Sequence, residues 1–170
     1  MNKHSPMISF TVGSASRSVT ADPARRLSEV LRDDLNLKSV KIGCDAGDCG
    51  ACTIALRELG PRGRLTQRTV NACIHLLPMV HGKEVVTVEH LTRDGDLHPV
   101  QKAMSEGHGS QCGFCTPGMI MTSVDMVNRY KAEGKDLTSA AIRNELEGNI
   151  CRCTGYHNIV KSVEDAAAKM

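Results

Sequence analysis

Cysteine spacing constrains this chain more than any other feature of its sequence. Eight cysteines occur, four of them before position 74 and four after position 111. The first residues lack the continuous apolar run of an export signal, so we expect a cytoplasmic chain whose thiols stay reduced. A disulfide framework would need both export and one pairing chosen among many. We therefore expect the thiols to bind metal, with one set of four in each half of the chain.

The first set of cysteines has a spacing that is typical of one kind of metal site. Three of them follow a Cys-x4-Cys-x2-Cys pattern, and the fourth comes after a probable hairpin. The set is Cys44, Cys49, Cys52 and Cys73. This is the plant-type [2Fe-2S] spacing. Gly43, Gly47 and Gly50 allow the backbone to approach bridging sulfides closely, which a zinc site does not require. The sequence therefore predicts a [2Fe-2S] cluster here.

The second set forms two close pairs of cysteines that are separated by two helix-length segments. The set is Cys112, Cys115, Cys151 and Cys153. Thr116 is a good N-cap and Pro117 a good first helical residue, so Cys115 is expected at the positive end of a helix, where a thiolate is favoured. A helical hairpin would bring the two pairs together. Spacing alone fits structural zinc as well as iron–sulfur, and the first pair also resembles a redox dithiol, although a surrounding βαβ pattern is missing.

Apolar alternation in the first half predicts a small β-sheet. Alternating or β-branched runs are separated by glycine-containing turns at 13–14 and 60–61. The expected strands are residues 8–12, 19–21, 53–56, 68–70 and 85–88. Asp22-Pro23 is expected to cap a helix whose apolar stripe runs from Leu27 to Leu35. The polar, turn-rich stretch 92–96 indicates a domain boundary.

The second half has the periodicity of helices. From Pro99 onward, apolar residues recur about every 3.6 positions. Four helices are expected, and the last is expected to start behind the cap Asn158. Their apolar stripes lie in residues 100–104, 120–127, 142–146 and 159–167. The fold class predicted from these patterns is α+β, with a sheet domain at 1–92 followed by a helical domain at 93–170.

Composition argues against several classes of function. The chain has 170 residues, a net charge of +2, two phenylalanines, two tyrosines and no tryptophan, which leaves little for nucleic-acid bases to stack on. No stretch is long enough to span a membrane. Two small cores with so few aromatic residues would gain stability from bound metal. The arginines of the 57–68 hairpin, at positions 57, 62, 64 and 68, are interpreted as a solvated loop.

Three sequence runs carry a family resemblance: Gly43–Thr53, His108–Gly118 and Gly148–Tyr156. In this order and separation they resemble the small iron–sulfur subunit of the molybdenum hydroxylases, the family of xanthine dehydrogenase, aldehyde oxidoreductase and aerobic carbon monoxide dehydrogenase. The resemblance covers nearly the whole chain, although the 58–69 hairpin loop is longer than in many members. It implies a plant-ferredoxin-like β-grasp domain followed by a C-terminal four-helix domain, each holding one [2Fe-2S] cluster.

The resemblance also implies an electron-transfer function within a larger oxidoreductase. Electrons would pass from a molybdopterin cofactor on a large subunit, through both clusters, to FAD on a medium subunit, in a dimer of heterotrimers. By carry-over, Gln111 and the neighbourhood of Cys153 would contact the pterin, and the loop around Gly47 would lie nearest the flavin. The competing interpretations are a free two-cluster ferredoxin and a zinc-stabilised interaction module. A diffusible carrier typically has a strongly one-signed surface, which a net charge of +2 does not provide.

Overall fold

The computed structural model describes residues 5–60 and 63–170, and it places a five-stranded sheet before a group of helices. The strands are β1 (Met7–Val12), β2 (Ala15–Thr20), β3 (Thr53–Leu59), β4 (Leu65–Asn71) and β5 (Glu84–Val86). The helices are α1 (Leu27–Glu29, continued by a π-helical turn Val30–Asp34), α2 (Pro99–Glu106), α3 (Thr116–Ala132), α4 (Ser139–Glu145) and α5 (His157–Ala167). Pro61 and Arg62, at the tip of the predicted β3–β4 hairpin, lie outside the described residues.

The sheet has the strand order β2-β1-β5-β3-β4. Strand β1 pairs antiparallel with β2 and parallel with β5, whereas β3 pairs antiparallel with both β4 and β5. Alternate residues Ile8, Phe10 and Val12 of β1 are buried and pack in one core with Leu27 and Leu31 of the first helix. The predicted alternation therefore gives the sheet one apolar face, which the helix covers.

The four later helices form a second core, and one of them also packs on the sheet. Met119, Ile142 and Ile159, from three different helices, are fully buried in this core. Met121 of α3 lies on the sheet side, where it packs against Ala55 and Val86. The methionines of α3 therefore serve as core residues, and α3 joins the two halves of the chain.

Three helix starts differ from the sequence predictions. Asp22 does not cap a helix: its carboxylate accepts a hydrogen bond from Ala24 N at 2.8 Å in a turn, and α1 begins only at Leu27. The N-cap of α3 is Cys115, one residue before the predicted Thr116. The N-cap of α5 is Tyr156, so Asn158 lies inside the first turn. In α3 and α5 the helix start lies within a cysteine-bearing loop, whose path determines the first helical residue.

The last strand is shorter than predicted. It ends at Val86, and Val88 begins a short 3-10 helix, Val88–Leu91, instead of continuing the strand. The Thr87 side chain caps this helix, with its hydroxyl 2.9 Å from Nδ1 of His90. A hydroxyl that caps a helix start ends the extended conformation there.

Candidate metal centres

The first candidate centre, here called the N-terminal site, consists of Cys44, Cys49, Cys52 and Cys73. All four are free thiols, and they become more buried along the chain, from the exposed Cys44 to the buried Cys52 and Cys73. The β3–β4 hairpin returns the chain so that Ala72 N donates to Cys52 O at 3.3 Å. The thiols of Cys44 and Cys49 interact with each other, as do those of Cys52 and Cys73. The structure therefore brings all four predicted ligands into two neighbouring pairs.

The two ends of the N-terminal site differ in their electrostatics. Backbone N–H groups of Ala46, Cys49 and Asp48 lie 3.3–3.4 Å from Sγ of Cys44. These hydrogen bonds lower the pKa of Cys44 to about 6, because they stabilise the thiolate. Burial, and then the neighbouring Cys73 thiol, raises the pKa of Cys52 to about 12. A positive metal is thus needed to hold the buried sulfur as a thiolate, and its binding would release a proton.

The cysteine loop of this site is wrapped tightly, as its glycines predict. A Cβ atom added to Gly43 would lie 2.9 Å from Sγ of Cys49, closer than side chains tolerate. Gly50 has a φ of +67°, and a Cβ there would lie 2.3 Å from the carbonyl oxygen of Gly148. Both glycines therefore permit close backbone approach next to a predicted ligand, Cys44 or Cys49.

The second candidate centre, here called the helical site, consists of Cys112, Cys115, Cys151 and Cys153. The first two cysteines precede α3, and the other two precede α5. The thiol of Cys112 interacts with that of Cys153, and the thiol of Cys115 interacts with that of Cys151. Helix packing therefore unites the two pairs, as the predicted helical hairpin requires.

Each pair in the helical site combines one thiol of lowered pKa with one of raised pKa. The backbone N–H of Phe114 lowers the pKa of Cys112. Burial opposes the Cys151 thiolate, but the Thr154 hydroxyl, 3.1 Å from its Sγ, and nearby backbone N–H groups lower its pKa. The pKa of Cys153 is raised by its contact with Cys112. Burial raises the pKa of Cys115 to about 12, which opposes the thiolate that its place at the helix start was predicted to favour.

The arrangement of the thiols fits a two-iron cluster in each site. A [2Fe-2S] cluster takes two protein ligands on each iron, and each site offers two pairs of thiols. Within residues 5–60 and 63–170, no group of three or more His, Cys, Asp or Glu side chains converges on one point in the way that a single metal ion requires. N–H donors aimed at Cys44 and a hydroxyl aimed at Cys151 would stabilise coordinated sulfur.

The two sites adjoin each other. Ile150 N donates to the carbonyl oxygen of Cys49 at 2.9 Å, and the Asn149 side-chain amide donates to Gly50 O at 3.1 Å. The Phe114 ring lies 3.5 Å from where a Cβ of Gly43 would be. Sequence reasoning assigned no function to Asn149, Ile150 or Phe114. The only signal was their membership of the motif runs, because contacts between distant loops leave no trace in spacing.

The residues predicted to face partner subunits lie at the edges of the two sites. Gln111 and Cys153 are exposed, and Gln111 directly precedes Cys112, whose thiol contacts that of Cys153. Gly47 lies on the other loop, where a Cβ would be 2.8 Å from Ile74. Gln111 and Gly47 thus belong to different sites, and their contacts with pterin and flavin remain predictions.

Comparison with known proteins identifies a domain family for each half of the chain and relatives that match nearly the whole chain. Residues 10–77 match the model of a 2Fe-2S iron-sulfur cluster binding domain, and residues 87–164 match that of a [2Fe-2S] binding domain. The chain is 37% identical to subunit beta of the 6-hydroxypseudooxynicotine dehydrogenase complex of Paenarthrobacter nicotinovorans, over 94% of this chain and 92% of that protein. It is 34% identical to the aldehyde oxidoreductase iron-sulfur-binding subunit PaoA of Escherichia coli K12, over 96% and 72%.

Larger relatives and a solved structure extend the comparison. Mouse aldehyde oxidase 3 is 38% identical over 93% of this chain, but the match spans only 12% of that protein. The crystal structure of quinoline 2-oxidoreductase from Pseudomonas putida 86 superposes with a TM-score of 0.85 at 32% identity, covering 98% of this chain and 96% of the matched one. In the part of the chain that the structure describes, no helix is long and apolar enough to cross a bilayer.

Proposed function

Because the chain belongs to the iron–sulfur subunits of the molybdenum hydroxylases, we propose that it carries electrons from a molybdenum centre on a large subunit to FAD on another. Bound [2Fe-2S] clusters supply one-electron redox chemistry, so a two-electron oxidation would be passed on singly. Residues 1–92 form the ferredoxin-like β-grasp domain in this proposal, and residues 93–170 form the four-helix domain. The reaction itself would belong to the assembled oxidoreductase.

The contact between the two sites is the observation that carries this proposal. Cys49 of one set and Ile150, the neighbour of Cys151 in the other, share a 2.9 Å backbone hydrogen bond. A zinc-stabilised module has no need for two adjoining four-thiol sites, whereas an electron carrier needs its centres close together. The geometry therefore favours transfer between the two sites within one chain.

The proposed direction of transfer rests on the family resemblance of residues at the edges of the two sites. We place Gln111 and Cys153 on the side that receives electrons from the pterin, and the Gly47 loop on the side that delivers them to the flavin. The chain's own residues hold the two thiol sets in place and limit the access of water to the buried sulfurs of Cys52 and Cys151.

Exposed apolar side chains favour a fixed subunit over a free ferredoxin. Ile74, Phe114 and Ile150 are 46–55% exposed, and each lies beside a ligand cysteine. Exposed apolar groups at a functional site mark surfaces that partners cover. We propose a cytoplasmic dimer of heterotrimers in which the molybdopterin and FAD subunits cover these residues. An isolated chain should self-associate, and a soluble monomer that keeps both clusters on dilution would favour the free carrier.

Two cysteine variants test the order of transfer in the assembled complex. Cys49→Ser should leave the helical cluster reducible by substrate but stop electron delivery to FAD. Cys112→Ser should prevent substrate from reducing both the N-terminal cluster and FAD. Rapid-mixing absorbance and EPR would follow each centre, starting from complexes shown to retain all their subunits and the other cluster. If assembled Cys112→Ser complex still reduces FAD at the normal rate, the proposed order is wrong.

A further inference from the structure

The hydroxyl of Tyr156 makes two hydrogen bonds that the cluster ligands do not explain. It accepts a bond from Cys151 N at 2.8 Å and donates one to Asn149 O at 2.9 Å. Both partners are backbone groups of the turn that leads into the helical site. The hydroxyl therefore links the two ends of the turn formed by residues 149–151.

Tyr156 adopts a backbone conformation that other interactions must hold. Its φ is +68°, in the left-handed region that non-glycine residues rarely occupy, and it follows Gly155 with a φ of +65°. Its backbone N donates to the Thr154 hydroxyl at 3.1 Å, and its ring packs against the helical core. Strained conformations of this kind persist where the surrounding structure fixes them, and they often occur at functional sites.

The turn that Tyr156 closes is also the one that contacts the N-terminal site. Within this turn, Asn149 is only 4% exposed, and its side-chain amide donates to Gly50 O at 3.1 Å. The next residue, Ile150, donates its N–H to Cys49 O at 2.9 Å. The hydrogen bonds thus run from Tyr156 through Asn149–Cys151 to the loop that carries Cys49.

We propose that Tyr156 is a positioning residue for both sites, because its hydroxyl holds the 149–151 turn against the Cys49–Gly50 loop. This inference rests on the proposed function in requiring that both clusters are bound. The hydroxyl of Tyr156 bonds to backbone groups of this turn, so its effect on the N-terminal site would pass through the turn. The distance and orientation between the two clusters, and the retention of each, depend on this hydroxyl.

Tyr156→Phe tests the proposal because it removes the hydroxyl and keeps the ring. Cys151 N then loses its acceptor and Asn149 O its donor, and losing these partly buried hydrogen bonds should accelerate chelator-driven release of both clusters by about tenfold. The two clusters are followed separately by EPR in the assembled complex. Tyr130→Phe is the matched control, because its ring packs in the same core while its hydroxyl lies 3.4 Å from the carboxylate of Glu145, outside the 149–151 turn, and it should leave both release rates unchanged.

A second measurement separates positioning from general stability. When both clusters are reduced, their magnetic interaction depends on their distance and orientation. This interaction splits the EPR signals of the two clusters in spectra recorded at low temperature. In samples that retain both clusters fully, we expect Tyr156→Phe to change the splitting and Tyr130→Phe to leave it as in the wild type. A splitting that is unchanged in Tyr156→Phe would overturn the proposal.

Asn149→Ala provides an independent variant. It removes the hydrogen bond from the Asn149 side-chain amide to Gly50 O and leaves the hydroxyl of Tyr156 in place. It should accelerate release of the N-terminal cluster, and its effect should be less than additive with that of Tyr156→Phe, since both act through one turn. Additive effects, or a Tyr156→Phe effect confined to the helical cluster, would overturn the inference and leave the proposed function intact. A wild-type complex without two iron–sulfur signals would instead contradict the proposed function.

Discussion

The two sites are assembled in different ways, although each uses four cysteines. The N-terminal site takes three thiols from one loop, residues 44–52, and a hairpin adds Cys73. The helical site joins residues 112–115 to residues 151–153, which lie far apart in sequence and are brought together by the packing of the helices. The first site therefore depends mainly on local backbone geometry, whereas the second depends on a tertiary core.

The sites also differ in how they stabilise sulfur. In the N-terminal site, three backbone N–H groups surround Sγ of Cys44. In the helical site, backbone N–H groups also act on Cys112 and Cys151, but a side-chain hydroxyl from Thr154 adds a contact with Sγ of Cys151. Most substitutions leave backbone N–H donors in place, whereas one substitution can remove a side-chain donor. Mutation should therefore tune the helical cluster more easily than the N-terminal one.

Truncating a buried leucine should give the largest difference between the two sites in how readily each releases its cluster. Leu146 and Leu56 are each 1% exposed, and changing either to alanine should cost about 2–5 kcal/mol of unfolding free energy. Leu146→Ala should release the helical cluster well before the N-terminal one, because α4 leads into the turn that carries Cys151. Leu56→Ala should accelerate release of the N-terminal cluster less, since three of its ligands are local.

Thermal ramps monitored by EPR of each cluster would measure this difference. The unfolding free energies of both variants provide the control, because the comparison requires similar losses. If Leu146→Ala released the N-terminal cluster first, the helical site would not be the one that depends on tertiary packing.

A methyl group at Gly118 should disturb the close approach of α3 to the Cys49–Gly50 loop. An alanine Cβ there would lie 2.1 Å from Gly50 O. Alanine in a helix gains about 1 kcal/mol over glycine, but this overlap should outweigh the gain and leave a net loss of about 1–2 kcal/mol. Gly148→Ala is the matched control, because nothing lies within 4 Å of its added Cβ.

Chemical unfolding of the cluster-loaded complex would measure both glycine variants. Gly148→Ala should stay within about 0.5 kcal/mol of the wild type. A Gly118→Ala variant as stable as Gly148→Ala would show that the close approach of α3 to the Cys49–Gly50 loop is not required.

The sequence predicted the secondary-structure elements, and which cysteines come together, better than the contacts between the two sites. The spacing of the N-terminal cysteines predicted their metal site because its geometry is local. Apolar periodicity likewise predicted the five α-helices of the described residues, since each buries one face, but it missed the 3-10 helix Val88–Leu91. The caps of α3 and α5 were predicted wrongly because Cys115 and Tyr156 take their conformations from the cysteine loops. The contact of Asn149 with Gly50 joins distant residues, and no periodic pattern encodes it.

The smallest expected effect tests the side-chain donor of the helical site. Thr154→Val removes the hydroxyl beside Sγ of Cys151, so the more negative reduced cluster loses stabilisation. Its reduction potential should fall by about 60 mV, the equivalent of about 1.4 kcal/mol for one electron. Thr154→Ser keeps the hydroxyl and should restore the wild-type value. In an EPR-monitored redox titration, an equal shift of the N-terminal cluster would contradict the assigned donor.

The iron and acid-labile sulfide content of the purified wild-type complex, measured per copy of this chain, tests the central claim most directly. Two sites of four thiols, each fitted to a two-iron cluster, predict about four iron atoms and about four sulfides, with two distinct EPR signals on reduction. A value of about half that, or zinc in place of iron at either site, would contradict the account of two adjoining [2Fe-2S] sites.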